Sequence, residues 1–193
     1  MEFLTDIMDG RDHYTHEHSQ RVAGLAKRMA ARLGLPDEEQ AAIAQAARVH
    51  DLGKLGIADG LLHKPEKLTR GELDEVRKHT VIGAEIVGKL REYARGKEYI
   101  LFHHEHYDGS GAFRLYGTHI PLGARIISVA DAFDAMTSDR PYRAALTLEN
   151  ALAEIARGSG TQFDPVVAQA LISIVQEETG RVQIGRASCR ERV

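Results

Sequence analysis

Apolar residues recur at intervals of three and four along most of this chain, and the strict alternation of half-buried strands is scarce. Val22, Leu25, Met29 and Leu33 fall on one side of a helix, and Gly34 is placed to end it. Pro36 followed by Asp37, Glu38 and Glu39 has the composition of a first helical turn, with carboxylates at the positive end of the dipole. That helix is predicted to run to about His50. Thr69 and Glu72 have the spacing of a capping box, with Leu68 and Leu73 as its hydrophobic staple. The helix they open carries Leu73, Val76, Gly83, Ile86, Val87 and Leu90 on one face. Further helices are predicted leading into His103, over Pro121 to Ser138, over Leu148 to Arg157 and over Asp164 to Glu178. Glycine-rich turns separate them at 51–60 and 108–117. The pattern predicts an all-α bundle.

A chain of 193 residues suits one domain with a real core. It is 43% apolar and has no Trp, so that core must be mostly aliphatic. A net charge of -3 lacks the basic footprint of a duplex-binding protein, and no apolar run is long enough to span a membrane. The polar, acidic start does not read as a signal peptide, and Cys189 is the only cysteine, so a reducing cytoplasm is the expected compartment. The domain is expected over 1–182. The segment 183–193, QIGRASCRERV, has no apolar period and can be encoded by a stretch resembling a sequencing-library adapter. It is expected to be a non-native or disordered tail.

Ten histidines are unusual, and their placement matters more than their number. His18 shares the face of Val22, His79 that of Val76, and Asp131 that of Ile127; His103 and His104 are adjacent. A single inward histidine is ordinarily a core imidazole hydrogen-bonded to a neighbour. Several of them with two carboxylates would carry a large desolvation cost, which metal coordination offsets. Neutral His and ionised Asp suit Mn, Fe, Ni or Zn. Adjacent helical residues point about 100° apart, so His50 and Asp51 reach one site only if the helix ends there. Leu52 to Gly56 supplies that ending, and Asp51 can then lie between two metals of the kind that activate water in phosphodiester hydrolysis. Asp134, one turn after Asp131, is placed to orient a ligand.

Three segments carry a resemblance. HDLGKLGIAD at 50–59, HHEHYDGSG at 103–111 and IPLGARIISVADAFDAMTSDRPYR at 120–143 resemble the HD-GYP family of the HD superfamily, over about Arg11 to Leu171. The resemblance implies an HD-domain helical bundle with a buried His/Asp metal site and two divalent ions, Fe or Mn. His18, His50, Asp51 and Asp131 match the shared HD-type ligands, with Asp51 bridging. His79, His103 and His104 match ligands of the second metal, the division between metals being left open. Lys54 matches a lysine near the scissile phosphate, and Arg140 and Arg143 match contacts to the ligand's phosphates or bases. The implied activity is hydrolysis of the 3′–5′ phosphodiester of cyclic di-GMP to pGpG, with GMP as a further product. GGDEF-type domains or a sensor or receiver domain are the implied partners.

Two departures stand out. Gly111-Ala112-Phe113 replaces the family's Gly-Tyr-Pro, losing an aromatic contact and a rigid turn. Tyr14 stands where members with a third metal carry Glu, so two metals are expected. His106 reads as neutral variation, and His13, His16, His63 and His119 as surface residues. Three rivals remain: another cyclic dinucleotide as substrate, a module that binds cyclic di-GMP or GGDEF domains without turnover, and a purely structural metal site.

Overall fold

Helix α1 (Thr15–Arg32) ends as its apolar repeat requires. Gly34 takes φ 74°, and the chain reverses with Gly34 N–H donating to Ala31 O (3.0 Å) and Leu35 N–H to Ala30 O (3.1 Å). The computed structural model describes residues 15–64, 66–139 and 144–190, without the side chains of 15, 16 and 181–190. The order continues with α2 (Asp37–Arg48), a 3-10 turn (Leu52–Gly56), α3 (Asp59–Leu62), α4 (Arg70–Arg77) and α5 (His79–Gly88). A second 3-10 turn (Arg91–Gly96), α6 (Lys97–Phe102), a short 3-10 turn (Gly117–His119), α7 (Leu122–Thr137), α8 (Leu148–Arg157) and α9 (Pro165–Arg190) follow. The described residues contain no strand, only an isolated bridge between Ser159 and Phe163. The architecture is the expected all-α bundle. No described helix is long and apolar enough to cross a membrane.

α7 runs through the middle of the bundle, with Ala124, Ile126, Ile127, Val129 and Ala130 all fully buried. α1, α6, α8 and α9 pack around it, and α2 packs on α1. Met29, Ile43, Ile155 and Leu171 complete an aliphatic core. Burying each such side chain contributes about 1.5–3 kcal/mol. This packing fixes α1, α2 and α7 relative to one another, and with them His18 in the first turn of α1, His50 just past the end of α2 and Asp131 within α7.

The capping box forms: Thr69 N–H donates to Glu72 Oε2 at 2.8 Å and Glu72 N–H to Thr69 Oγ1 at 3.4 Å. The long helix predicted beyond it is two helices meeting at Lys78. At the joint, Val76 O accepts from His79 Nδ1 (2.7 Å) and Arg77 O from Thr80 Oγ1 (3.1 Å), so side chains engage carbonyls that backbone N–H groups would take in an unbroken helix. Leu73 remains 39% exposed rather than joining the inner face. α9 continues past the predicted end at Glu178, and its backbone runs through residues 183–190 of the segment set apart at 183–193.

Candidate metal centre

His50 and Asp51 sit where α2 gives way to the first 3-10 turn, as the adjacency argument demands. Asp51 has φ -92° and ψ 2°, which turns its side chain out of the helical row. The turn then crosses α5 at very short range. A Cβ on Gly53 would lie 1.8 Å from His79 O and 2.6 Å from Gly83 N. Only glycine permits that approach, and it brings the Asp51 carboxylate to His79.

The carboxylate of Asp51 is the hinge of the site. Its Oδ2 lies 3.5 Å from His50 Nε2 and 2.6 Å from Lys54 Nζ. Its Oδ1 lies 3.5 Å from His79 Nε2. On the far side, Asp131 Oδ1 is 3.3 Å from His18 Nε2 and 4.0 Å from His50 Nε2. Two groups have ligand atoms within 4.8 Å of one another and could each hold a metal ion: His18, His50 and Asp51, and His79, His103 and His104. The rings form one connected cluster, with neighbouring centroids between 3.9 and 5.6 Å apart.

The imidazoles are oriented from behind. Nδ1 of His50, His79 and His103 lies 2.7, 2.7 and 2.8 Å from the carbonyl oxygens of Ala47, Val76 and Ile100. A carbonyl only accepts, so in each ring Nδ1 carries the proton and Nε2 presents a lone pair to the centre. Nε2 of His79 and of His103 is buried with no hydrogen-bond partner among the described residues. Such orphaned acceptors are costly. The 3.5 Å approaches of Nε2 lone pairs to Asp51 oxygens also leave no proton between them. A cation resolves both problems, and the N/O donor set suits a first-row divalent metal. The residues present therefore fit the ions that the sequence implies.

The two groups differ electrically. Burial opposes charge on His18, but the Asp131 and Asp134 carboxylates outweigh it and raise its pKa to about 9. Asp51 is held well below the usual carboxylate range: burial pushes it up, and Lys54, His50 and His79 overcome that. Asp131 is likewise lowered, chiefly by His18 and His50 against its burial. Burial drives His103 well down, reinforced by the neighbouring imidazoles, and lowers His79 despite Asp51. His104 has an exposed outer face, but desolvation beneath it and His79 beside it push it down to about 4.

Asp134 occupies the orienting position expected of it. Its Oδ2 accepts from His18 Nδ1 at 2.7 Å and its Oδ1 from Arg21 Nε at 2.6 Å. Lys54 is 35% exposed, at the edge between Asp51 and solvent. Arg140 and Arg143 lie outside the described residues, as do His13 and Tyr14. His63 and His119 are exposed, and His106 Nδ1 lies 2.9 Å from Ser110 Oγ. Phe113 meets Phe102 edge-on at 5.3 Å while Ala112 is exposed. Two residues escaped the sequence reading. Arg21 backs Asp134, and its position one turn after His18 was the available signal. Glu105 is 4% exposed and accepts N–H bonds from Phe113 and Leu115, both at 2.9 Å. Its lodging between histidines, before a glycine-rich turn, was the available clue.

A helical bundle that converges histidines and aspartates around one carboxylate has the architecture of an HD-type site. The sequence matches the HD domain family over residues 2–167, and the chain belongs to that family. It is 40% identical to a cyclic di-GMP phosphodiesterase of Thermotoga maritima over 93% of this chain and 50% of that protein. It is 38% identical to the 3′3′-cGAMP-specific phosphodiesterase 3 of Vibrio cholerae over 86% of this chain and 36% of that protein. An HDG"Y"P protein of Bdellovibrio bacteriovorus shares the fold, with a TM-score of 0.67 at 20% identity over 84% of this chain and 52% of that structure. The chain thus spans half the length or less of the curated relatives named here.

Proposed function

We propose that this chain is a metal-dependent phosphodiesterase that opens cyclic di-GMP at a 3′–5′ phosphodiester to give pGpG, with GMP as a further product. The observation that carries the reading is the Asp51 carboxylate, with one oxygen 3.5 Å from His50 Nε2 and the other 3.5 Å from His79 Nε2. His18, His50, Asp51 and Asp131 would hold one ion; His79, His103 and His104, with Asp51 shared, would hold a second. Fe or Mn suits this set. Bound there, the pair supplies an activated water and a clamp for the phosphoryl oxygens. The chain's own groups do the rest. Nδ1–H bonds to Ala47, Val76 and Ile100 keep the rings aimed. Asp134 and Arg21 fix His18. Lys54 holds Asp51 ionised and places a cation at the edge of the site, where it stabilises charge near the leaving group. Arg140 and Arg143 would contact the nucleotide's phosphates or bases.

The relatives' names support a cyclic dinucleotide as substrate. A second reading, another dinucleotide such as 3′3′-cGAMP, is favoured by the 38% identical relative and by Ala112 in place of the family's Tyr. Because the relatives are about twice as long or longer, a sensor, receiver or GGDEF-type partner belongs to the same reading. The test is incubation of protein loaded anaerobically with Fe(II) or Mn(II) with cyclic di-GMP and, separately, 3′3′-cGAMP, followed by chromatography. Release of pGpG by wild type and not by Asp51→Ala supports the reading. Faster turnover of 3′3′-cGAMP transfers it to the second substrate. Absence of any product from protein shown to hold its metals overturns it.

A further inference from the structure

Arg114 is the one non-glycine residue at positive φ among the described residues, at 57°. Side chains rarely accept that conformation, and its cost must be met elsewhere. Here buried Glu105 meets it. The two oxygens of its carboxylate accept the N–H groups on either side of Arg114, those of Phe113 and Leu115. The clamp turns the Arg114 side chain into an open cleft of about 460 Å³ whose other cations are Arg70 and Arg77. Arg77 has an ion pair with Asp74 at 3.4 Å, while no ion pair is formed by Arg70 or Arg114 among the described residues. Three guanidinium groups line the cleft against the carboxylate of Asp74, with the Glu105 carboxylate beneath Gly111, so the cleft keeps a positive excess.

The cleft lies beside the candidate metal centre. Ala112, Asp74 and Arg77 line it and also line a hollow of about 140 Å³ that His104 lines as well. Ala112, which lines both spaces, puts a methyl group where the resemblance expects a tyrosine.

We infer that the Arg70–Arg77–Arg114 cleft is a phosphate-binding subsite for the linear dinucleotide bound for its second cleavage, taking the terminal 5′-phosphate while the internal phosphodiester lies at the metal centre. The inference rests on the dinucleotide reading above and adds where a second anionic group is gripped. Guanidinium groups match phosphate oxygens in paired, charge-assisted bonds. A backbone strained to aim one of them is what a preorganised anion contact requires.

The test compares two ligands on the metal-loaded full chain by calorimetry. One is pGpG and the other GpG, which lacks the 5′-phosphate; both carry a phosphorothioate at the internal bond to resist turnover. Wild type is expected to prefer pGpG by about tenfold or more. Arg114→Gly suits the left-handed backbone, so it removes the guanidinium while leaving the loop's conformation favourable; it should abolish most of that preference without lowering the melting temperature. Arg77→Ala should reduce the preference as well. A preference that survives Arg114→Gly, or equal binding of the two ligands by wild type, overturns the subsite. If cyclic di-GMP is not hydrolysed yet the preference is present and falls with Arg114→Gly, the subsite stands and the substrate assignment falls. If hydrolysis proceeds and wild type shows no preference, the subsite alone falls.

Discussion

The two histidine groups share one carboxylate and are otherwise built on opposite plans. Around His18 and His50 the neighbours are carboxylates: Asp131 at 3.3 Å from His18 and Asp134 at 2.7 Å. Around His79, His103 and His104 the neighbours are chiefly other imidazoles, and two Nε2 atoms are buried without a partner among the described residues. The first group solves the problem of burying polar atoms with a proton, which His18 holds up to about pH 9. The second leaves its lone pairs unmatched and its pKa values low. In the metal-free fold one group thus carries a proton that a bound metal would displace, and the other is deprotonated. Asp51 joins them because α2 ends beside it and Gly53 lets the chain press against α5.

The comparison breaks most completely at Asp51. Asp51→Ala should cost about 10³-fold or more in turnover, since several kcal/mol of metal-derived stabilisation depend on it. It should also lower metal content at both groups, read by elemental analysis. Retention of full activity would return the site to a structural role. A more selective break is His103→Ala, which should lower metal content from about two ions per chain to about one while leaving the His18 group occupied. Loss of both ions together would mean the groups do not fill independently. Asp134→Asn should act on one side only, weakening metal binding at the His18 group by about 10–100-fold, the usual effect of removing an orienting partner. Equal weakening at both groups would contradict the assignment.

The smallest effect is in pH. His18 has a folded pKa of about 9 against an ordinary 6.5, so its contribution to the metal-free fold is complete below 6.5 and lost as pH rises through about 9. His79, His103 and His104 are depressed, so the unfolded chain takes up their protons first. Their contribution is present above about 6.5 and lost as pH falls below it, toward about 4 for His104. Melting temperatures of chelator-treated protein should therefore peak near pH 6.5 and fall on both sides. Metal uptake near pH 7.5 should release about one proton at the His18 group and almost none at the other, read by calorimetry in buffers of different ionisation heat. A release of protons dominated by the second group would reverse the comparison.

Much of this was legible in the residues. The helical repeat predicted α1, α7 and α8 closely, because their apolar positions alone decide which face is buried. The adjacency of His50 and Asp51 required a helix end, and the structure puts it there. The resemblance suggested two groups of ligands, but the contact that joins them was not legible. It depends on Gly53 touching His79 O, a contact between elements about twenty-six residues apart that no local pattern encodes. The break at Lys78 was hidden because His79 and Thr80 fit a continuous helix by periodicity, and it arises from where their side chains find acceptors. Glu105 was overlooked between two histidines, since its role is to hold a loop eight to ten residues further on.

The most direct test of the shared carboxylate is anomalous diffraction from crystals of the manganese-loaded chain, collected at the manganese edge. Two peaks about 3.5–4 Å apart, one on each side of the Asp51 carboxylate, are the predicted result. A single peak confined to one group, with Asp51 turned away from it, would contradict the account.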